Sequence, residues 1–288
     1  MVKKLAVVCM ISLLCLSKGS AQDSVAVTDG FRTKMGFTGR KIAATSAMGG
    51  LLVTSLIWSY DTWWRDAGRP FHFMTENWLN SKTLGIDKIG HLYTSYFYFN
   101  TFRDLMLWGG YERSAADWWA AGGTMFFALA IEVGDGVTPE YGFDYQDIVF
   151  NFLGMGYGWL QTRVPFLKHF TFKWSYVPNE GYRFPVRFTD IYDAHTYWLT
   201  CDIDRLLPSS VEPYWPDFLQ IAVGFGVDDK VTKREFVIGF DLDLGDLFKT
   251  ENEDLLLIQK TVRMFHIPSP AIKFTEQKGP RYYLFHRN

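Results

Sequence analysis

Three stretches of this sequence carry ionisable and amide side chains where apolar ones would be the simpler choice. They are Asp87-Lys88-Ile89-Gly90-His91, Glu132-Val133-Gly134-Asp135-Gly136, and Asp144-Tyr145-Gln146-Asp147 followed by Asn151. Asp87 and His91 stand four apart, on one helical face, and Glu132 and Asp135 stand three apart. Asp147, Asn151, Gly154 and Gly158 run down a single stripe, whose glycines let a neighbouring helix come close. If the three helices pack together, His91, Glu132 and Asp147/Asn151 converge on one pocket. One imidazole with two carboxylates suits a hard or borderline divalent cation, or acid–base work on a bound substrate. His91, Glu132 and Asp147 are therefore the candidate catalytic or metal-ligating residues. Asp87, Lys88, Asp135 and Asn151 are candidate binding residues, with Lys88 placed to stabilise an anion. A divalent metal is the cofactor such a set suggests.

A plainer reading competes. Asp87 and Asp144 each open a helix and look like N-caps, and Asp147 resembles a capping-box acid. His91 then serves as a hydrogen-bonded core histidine. Capping leaves Glu132 unexplained, because it ends the apolar run Met125–Ile131 near a helix C-terminus, where the dipole disfavours negative charge. A carboxylate buried there needs a cation or a proton donor beside it.

The elements that position these residues fall into two halves. To about Phe170 the pattern is helical: Ile42–Tyr60, Asp87–Leu107, Ala115–Val133 and Tyr145–Gln161, separated by glycine and proline signals. Ile42–Tyr60 is uncharged and long enough to cross a bilayer, whereas the later uncharged stretches are too short to decide between a span and a buried helix. Beyond Phe170 the period changes to two. Phe236, Ile238, Phe240, Leu242 and Leu244 alternate with Val237, Gly239, Asp241, Asp243 and Gly245. Leu219–Val227 and Thr196–Ile203 read as further strands, with a hairpin turn at Asp228-Asp229-Lys230. The expected class is α+β: a membrane-associated bundle of about four helices over 22–170, then a mostly antiparallel β-rich region over 171–288. The boundary falls around Pro178, Gly181 and Pro185.

The first 21 residues have the layout of a secretory signal peptide. Lys3 and Lys4 precede an apolar run from Leu5 to Leu16, and Gly19-Ser20-Ala21 supplies a small-residue cleavage end. Neither Cys9 (after Val8) nor Cys15 (after Leu14) sits in a lipid-attachment context. The chain has 29 basic and 31 acidic residues, and losing Lys3, Lys4 and Lys18 takes the net charge from −2 to −5. That excludes a broadly basic nucleic-acid binder, though Arg32, Lys34, Arg40 and Lys41 form a local basic patch. Of three cysteines only Cys201 remains, so no intrachain disulfide or cysteine-based zinc site is available. Cys201 is expected to be a small buried hydrophobe. Aromatics make up 18% of the chain and group near the ends of apolar segments, as at Trp58/Tyr60/Trp63/Trp64, which suits a membrane interface.

Phe71-His72-Phe73, Asp87-Lys88-Ile89-Gly90-His91, Glu132…Asp135-Gly136 and Gly142-Phe143…Asp147…Asn151…Gly154, in that order, resemble the YfiM-like family of predicted periplasmic (envelope) lipoproteins, which has no established function. The resemblance covers about residues 60–200, and Tyr197-Trp198-Leu199 and Trp215-Pro216-Asp217 fit its longer members. More distantly, the Asp-Lys-x-x-His pattern with later Glu, Asp and Asn-x-x-Gly is similar to VanZ-like membrane proteins. The resemblance implies an envelope protein with a polar pocket at a membrane surface, and no particular chemistry.

No Gly-x-Ser-x-Gly, His-Glu-x-x-His or phosphate-cradling glycine loop is present. The residues thus point first to an exported, periplasmic, membrane-associated binding or structural module. Its partner would be a membrane lipid or envelope component, with a possible protein partner through the β-rich half. A metal-assisted or acid–base hydrolase or transferase acting on a lipid-linked or cell-wall substrate is the alternative.

Overall fold

The computed structural model describes residues 37–65, 67–74, 77, 81–178 and 191–286. The signal-peptide layout at 1–21, Arg32, Lys34 and the Gly181/Pro185 boundary lie outside them. The chain is α+β. Helix α1 (Phe37–Ser59) loosens into a π-turn over Tyr60–Trp64. Then follow α2 (Ile86–Trp108), α3 (Arg113–Asp135) and α4 (Tyr145–Arg163). Strands β1 (Phe170–Tyr176), β2 (His195–Cys201), β3 (Leu219–Val227) and β4 (Arg234–Leu242) come next, then two short helices, α5 (Leu244–Leu247) and α6 (Glu253–Val262). Strands β5 (Ala271–Thr275) and β6 (Arg281–Tyr283) close the described chain.

Local chemistry sets the helix ends. Gly85, at φ 87°, turns the chain into α2 in a conformation an L side chain resists, and Gly109 and Gly110 end the helix. Asp144 caps α4 by accepting the Gln146 N–H, while Pro165 follows its last turn. Two expected caps are corrected. Asp87 does not cap α2, because Gly85 holds that position and Asp87 lies one residue inside the helix. Asp147 gives no capping-box bond: the Asp144 N–H donates instead to Glu132 Oε2 of α3, at 3.3 Å.

The four long helices pack as a bundle with α2 at its centre. Helices α1 and α3 run antiparallel to α2, as the Ser55–Tyr98 and Arg103–Asp117 pairs require, and α4 runs alongside it. Phe99, Phe102, Met106, Ala116, Ala120 and Met155 form the apolar core of the bundle. At Gly154 a Cβ would fall on the Leu92 carbonyl oxygen, so only glycine lets α4 come this close to α2. That approach brings the N-terminal turns of α2 and α4 side by side, with Asp147 and Asn151 against Lys88, His91 and Ser95.

The β half is one six-stranded antiparallel meander in the order β1-β2-β3-β4-β5-β6. Its β3–β4 hairpin falls where expected, with Asp228 accepting the Thr232 and Lys233 N–H groups across the turn. The free edge of β1 is taken up by the segment ahead of β5, since Trp174 donates to Met264 O and accepts from His266 N. The sheet therefore curls back towards its own start around Trp198, Ala222, Val237 and Ala271. Cys201 is half-buried, not buried, because it lies on the outer side of this curl beside Ile221.

Candidate functional site

The polar pocket sits at one end of the bundle, where α2 and α4 begin and α3 ends. Lys88 is 2% exposed and reaches Asp147 Oδ1 at 2.7 Å, Asp144 Oδ2 at 2.9 Å and Asp87 Oδ2 at 3.5 Å. His91 lies beside it, one turn along α2. Its Nε2 faces Asp147 Oδ1 at 3.6 Å and Asp87 Oδ1 at 3.8 Å, and its Nδ1 faces Glu132 Oε1 at 3.7 Å. Asn151 links His91 Nδ1, at 3.2 Å, to the Ser95 hydroxyl, which donates to Asn151 Oδ1 at 2.7 Å. Asp135 stands at the rim and accepts the Trp64 indole N–H.

The residues singled out from sequence are thus brought within one shell: Asp87, Lys88, His91, Glu132, Asp147 and Asn151 directly, and Asp135 through the rim. Asp144 joins them, having been read from sequence as a cap alone, and it does both jobs. His72 does not line this pocket. Sequence reasoning missed the contribution of the sheet. His195 and Tyr197 of β2 and Trp174 of β1 line the same cavity, with the Tyr197 hydroxyl 3.3 Å from His195 Nδ1. The strand pattern around Tyr197-Trp198-Leu199 was visible, but no local signal says which helix end a strand will meet.

Charge is unbalanced here. Asp87, Glu132, Asp135, Asp144 and Asp147 face one lysine and one histidine. Glu132 is 1% exposed, and its Oε1 has no hydrogen-bond donor among the described residues. Burial therefore pushes the Glu132 carboxyl up to about 8, although His91 opposes the shift. Burial works against charge on His91, yet Asp147, Asp87 and Glu132 overcome it and raise the imidazole to about 9. Lys88 behaves alike: desolvation is outweighed by Asp87 and Asp147, and its pKa is raised. Asp147 is raised by burial, and Asp135 is raised by burial to about 6.

These shifts predict how the metal-free protein responds to pH. Both groups bind protons more tightly when folded than at their ordinary values of 6.5 for histidine and 4.5 for glutamate. The stabilisation from the His91 proton is complete below pH 6.5 and disappears as pH rises through about 9, and that from the Glu132 proton is complete below 4.5 and is lost as pH rises through about 8. Stability of chelator-treated protein should therefore fall from pH 5 to pH 9, most steeply between 6.5 and 8. Thermal melts across that range check the slope. A flat or rising profile contradicts this account of the pocket.

Asp87, His91 and Asp147 offer one ligand atom each, and these atoms all lie within 4.8 Å of one another. The imidazole turns Nε2 towards the two aspartates, while Nδ1 lies 3.2 Å from the Asn151 amide nitrogen and 3.7 Å from Glu132 Oε1. Above this floor opens a cavity of about 810 Å³, walled by Trp58, Trp63, Tyr98, Phe127 and Ile131 from the helices and by the β2 aromatics. It is an amphipathic space, acidic at the bottom and aromatic along the sides.

Fold and site together define an α+β chain with an acidic pocket set between a helical bundle and a curled sheet. Residues 75–163, less than half of the chain, match the model of a family described as predicted periplasmic lipoprotein (DUF2279). The matched stretch holds α2, α3 and α4 and so every helical residue of the pocket floor. No curated protein and no solved structure matches the chain. The match supports a place in the cell envelope.

Proposed function

We propose that this is a periplasm-facing envelope protein, held to a membrane by α1, that binds a divalent cation on Asp87, His91 and Asp147. With that cation it takes the polar head of an amphiphilic ligand, a membrane lipid or envelope component, into the pocket. The observation that carries the reading is the excess of carboxylates over cations around a buried Glu132 Oε1 that has no donor among the described residues. A cation bound to His91 Nε2 neutralises that excess and leaves the Nδ1 proton facing Glu132 Oε1, 3.7 Å away. The donor set suits a hard or borderline ion.

Membrane attachment is supported by α1. The 27 residues Thr38–Trp64 are long and apolar enough to cross a bilayer, with only 17% of their most apolar window buried against the rest of the chain. The match of residues 75–163 to a family described as predicted periplasmic lipoprotein supports a place in the envelope. A metal-assisted or acid–base hydrolase or transferase acting on a lipid-linked or cell-wall substrate is the second reading. It is favoured by the room left above the floor, which exceeds what an ion alone needs.

The test is titration of metal-stripped, detergent-extracted protein with Mg²⁺, Mn²⁺, Ca²⁺ and Zn²⁺. At least one ion should stabilise the fold by about 2.7 kcal/mol when present at a hundred times its dissociation constant. It should also flatten the pH profile, because it takes the place of the protons. If none of the four moves the melting temperature, the cation reading fails.

A further inference from the structure

The sheet is built inside out. Its register aligns Leu199, Val223, Ile238, Ile272 and Tyr282 in one row across β2 to β6. The next row holds Tyr197, Phe225, Phe236 and Phe274, so this side of the sheet is apolar and aromatic. It is also the outer side: Val223 is 47% exposed, Phe236 50%, Ile238 51% and Tyr282 76%. The inner side carries buried charges beside the apolar cluster of Trp198, Ala222, Val237 and Ala271. Lys173 and Asp241 pair at 2.5 Å with both side chains fully buried, His266 Nδ1 lies 3.1 Å from the same aspartate, and Lys273 pairs with Glu235 at 2.8 Å.

A one-sided sheet in water does the opposite, burying its apolar face and wetting its polar one. Enclosed ion pairs together with a broad exposed row of phenylalanine and aliphatic side chains fit surroundings less polar than water. Helix α2 covers the β1–β2 end of the outer face through Tyr93 and Tyr96 against Trp174 and Phe172. From β3 to β6 the face is largely exposed, although Val227 is buried at its α2 end and Ile221, Phe225 and Ile272 are half-buried. The same exposure recurs on α6 (Leu255, Ile258, Val262) and on α1, which is already of membrane-spanning length. Charged residues collect instead at the strand ends, as at Asp229 and Lys230 in the β3–β4 turn. One docking protein covers one patch, whereas apolar exposure spread over a sheet and two separate helices fits a continuous apolar solvent.

We infer that the outer face of β3–β6 rests in the acyl-chain layer of the membrane that α1 enters, so that the β half is itself a membrane-seated unit. Strands β3 and β4 have nine residues each, and the flanking strands β1, β2, β5 and β6 have fewer, which fits a sheet lying on or partly in the bilayer rather than a spanning barrel. This inference is independent of the metal site.

The test uses full-length chain with its three cysteines replaced by alanine and single cysteines at Val223→Cys, Ile238→Cys and, as the aqueous control, Lys230→Cys. Each is labelled with an environment-sensitive fluorophore. The proteins are then reconstituted into vesicles of phosphatidylethanolamine and phosphatidylglycerol. Labels at 223 and 238 should emit blue-shifted light, be quenched at least two-fold by acyl-chain nitroxide lipids and resist iodide, while the label at 230 should behave in the reverse way. Iodide quenching of 223 and 238 equal to that of 230 overturns the inference. Shielding of both positions from lipid and iodide also overturns it and marks a protein partner or a second copy. In parallel, unsubstituted chain in vesicles with photoactivatable acyl chains should crosslink within residues 219–242. Crosslinks confined to α1 overturn it as well.

Discussion

Lys88→Met should cost about 3–5 kcal/mol of stability, the loss seen when one member of a buried ion pair is removed and its partners stay behind. Asp144 and Asp147, 4% and 7% exposed, would face each other without the ammonium that holds both within 2.9 Å. The same substitution should strengthen divalent cation binding several-fold, because Asp147 Oδ1 no longer shares its electrons with Lys88. The two effects have opposite signs. Adding Asp147→Asn should recover part of the lost stability, since one of the uncompensated charges goes, and should weaken cation binding. Urea unfolding with and without chelator measures all four quantities. Cation binding that falls in step with stability in Lys88→Met would mean that the pocket is a structural network and nothing more.

His91→Ala is expected to lower cation affinity by at least a hundred-fold, because it deletes the only nitrogen ligand of the set. Glu132→Gln should lower it about 10–100-fold, the range for residues that orient a metal-bound histidine without touching the metal. Glutamine also stays uncharged, as burial already favours at Glu132, so this variant should be about as stable as the parent at neutral pH and more so above pH 8 when metal-free. Calorimetric titration gives the affinities and thermal melts the stabilities. The account requires the ranking His91→Ala below Glu132→Gln below parent in affinity, without the same ranking in stability. Equal losses of stability in both variants, with no cation bound by the parent, would leave a polar core.

Much of the helical half could be read from the chain. The four helices begin and end within a few residues of the periodic stretches, because glycine pairs and Pro165 punctuate them. Helix α1 starts earlier than its apolar run suggests. Arg40 and Lys41 continue it, held by an ion pair with Glu253 and by contact with the Tyr111 ring. The convergence of His91, Glu132 and Asp147 followed from spacing, since i,i+4 positions on helices that touch through Gly154 have few other places to point. What failed were the local rules at α2 and α4. Asp87 looked like a cap and is not one, because Gly85 in a left-handed conformation already turns the chain. Asp147 looked like a capping-box acid and pairs instead with Lys88, while Glu132 from another helix takes the Asp144 N–H. Tertiary partners outcompete local ones when both are buried.

The β half was readable as strands and unreadable as a sheet. Alternation at Phe236–Leu242 was plain, and β4 occupies Arg234–Leu242. Alternation alone does not say which face is inside, and the usual assumption would have buried the phenylalanines. Lys173 and Asp241 lie 68 positions apart, so their pairing, which fixes the inner face, leaves no trace in any short window. A long separation in sequence likewise hid His195 and Tyr197 from the pocket they help to line.

Native mass spectrometry of the full chain, extracted gently from its own membranes, beside His91→Ala is the most direct test of the cation-and-amphiphile pocket. The account predicts a parent ion carrying one divalent metal and a lipid-like mass, with the metal gone and the lipid-like mass reduced in the variant. An identical bare mass for both proteins would contradict it.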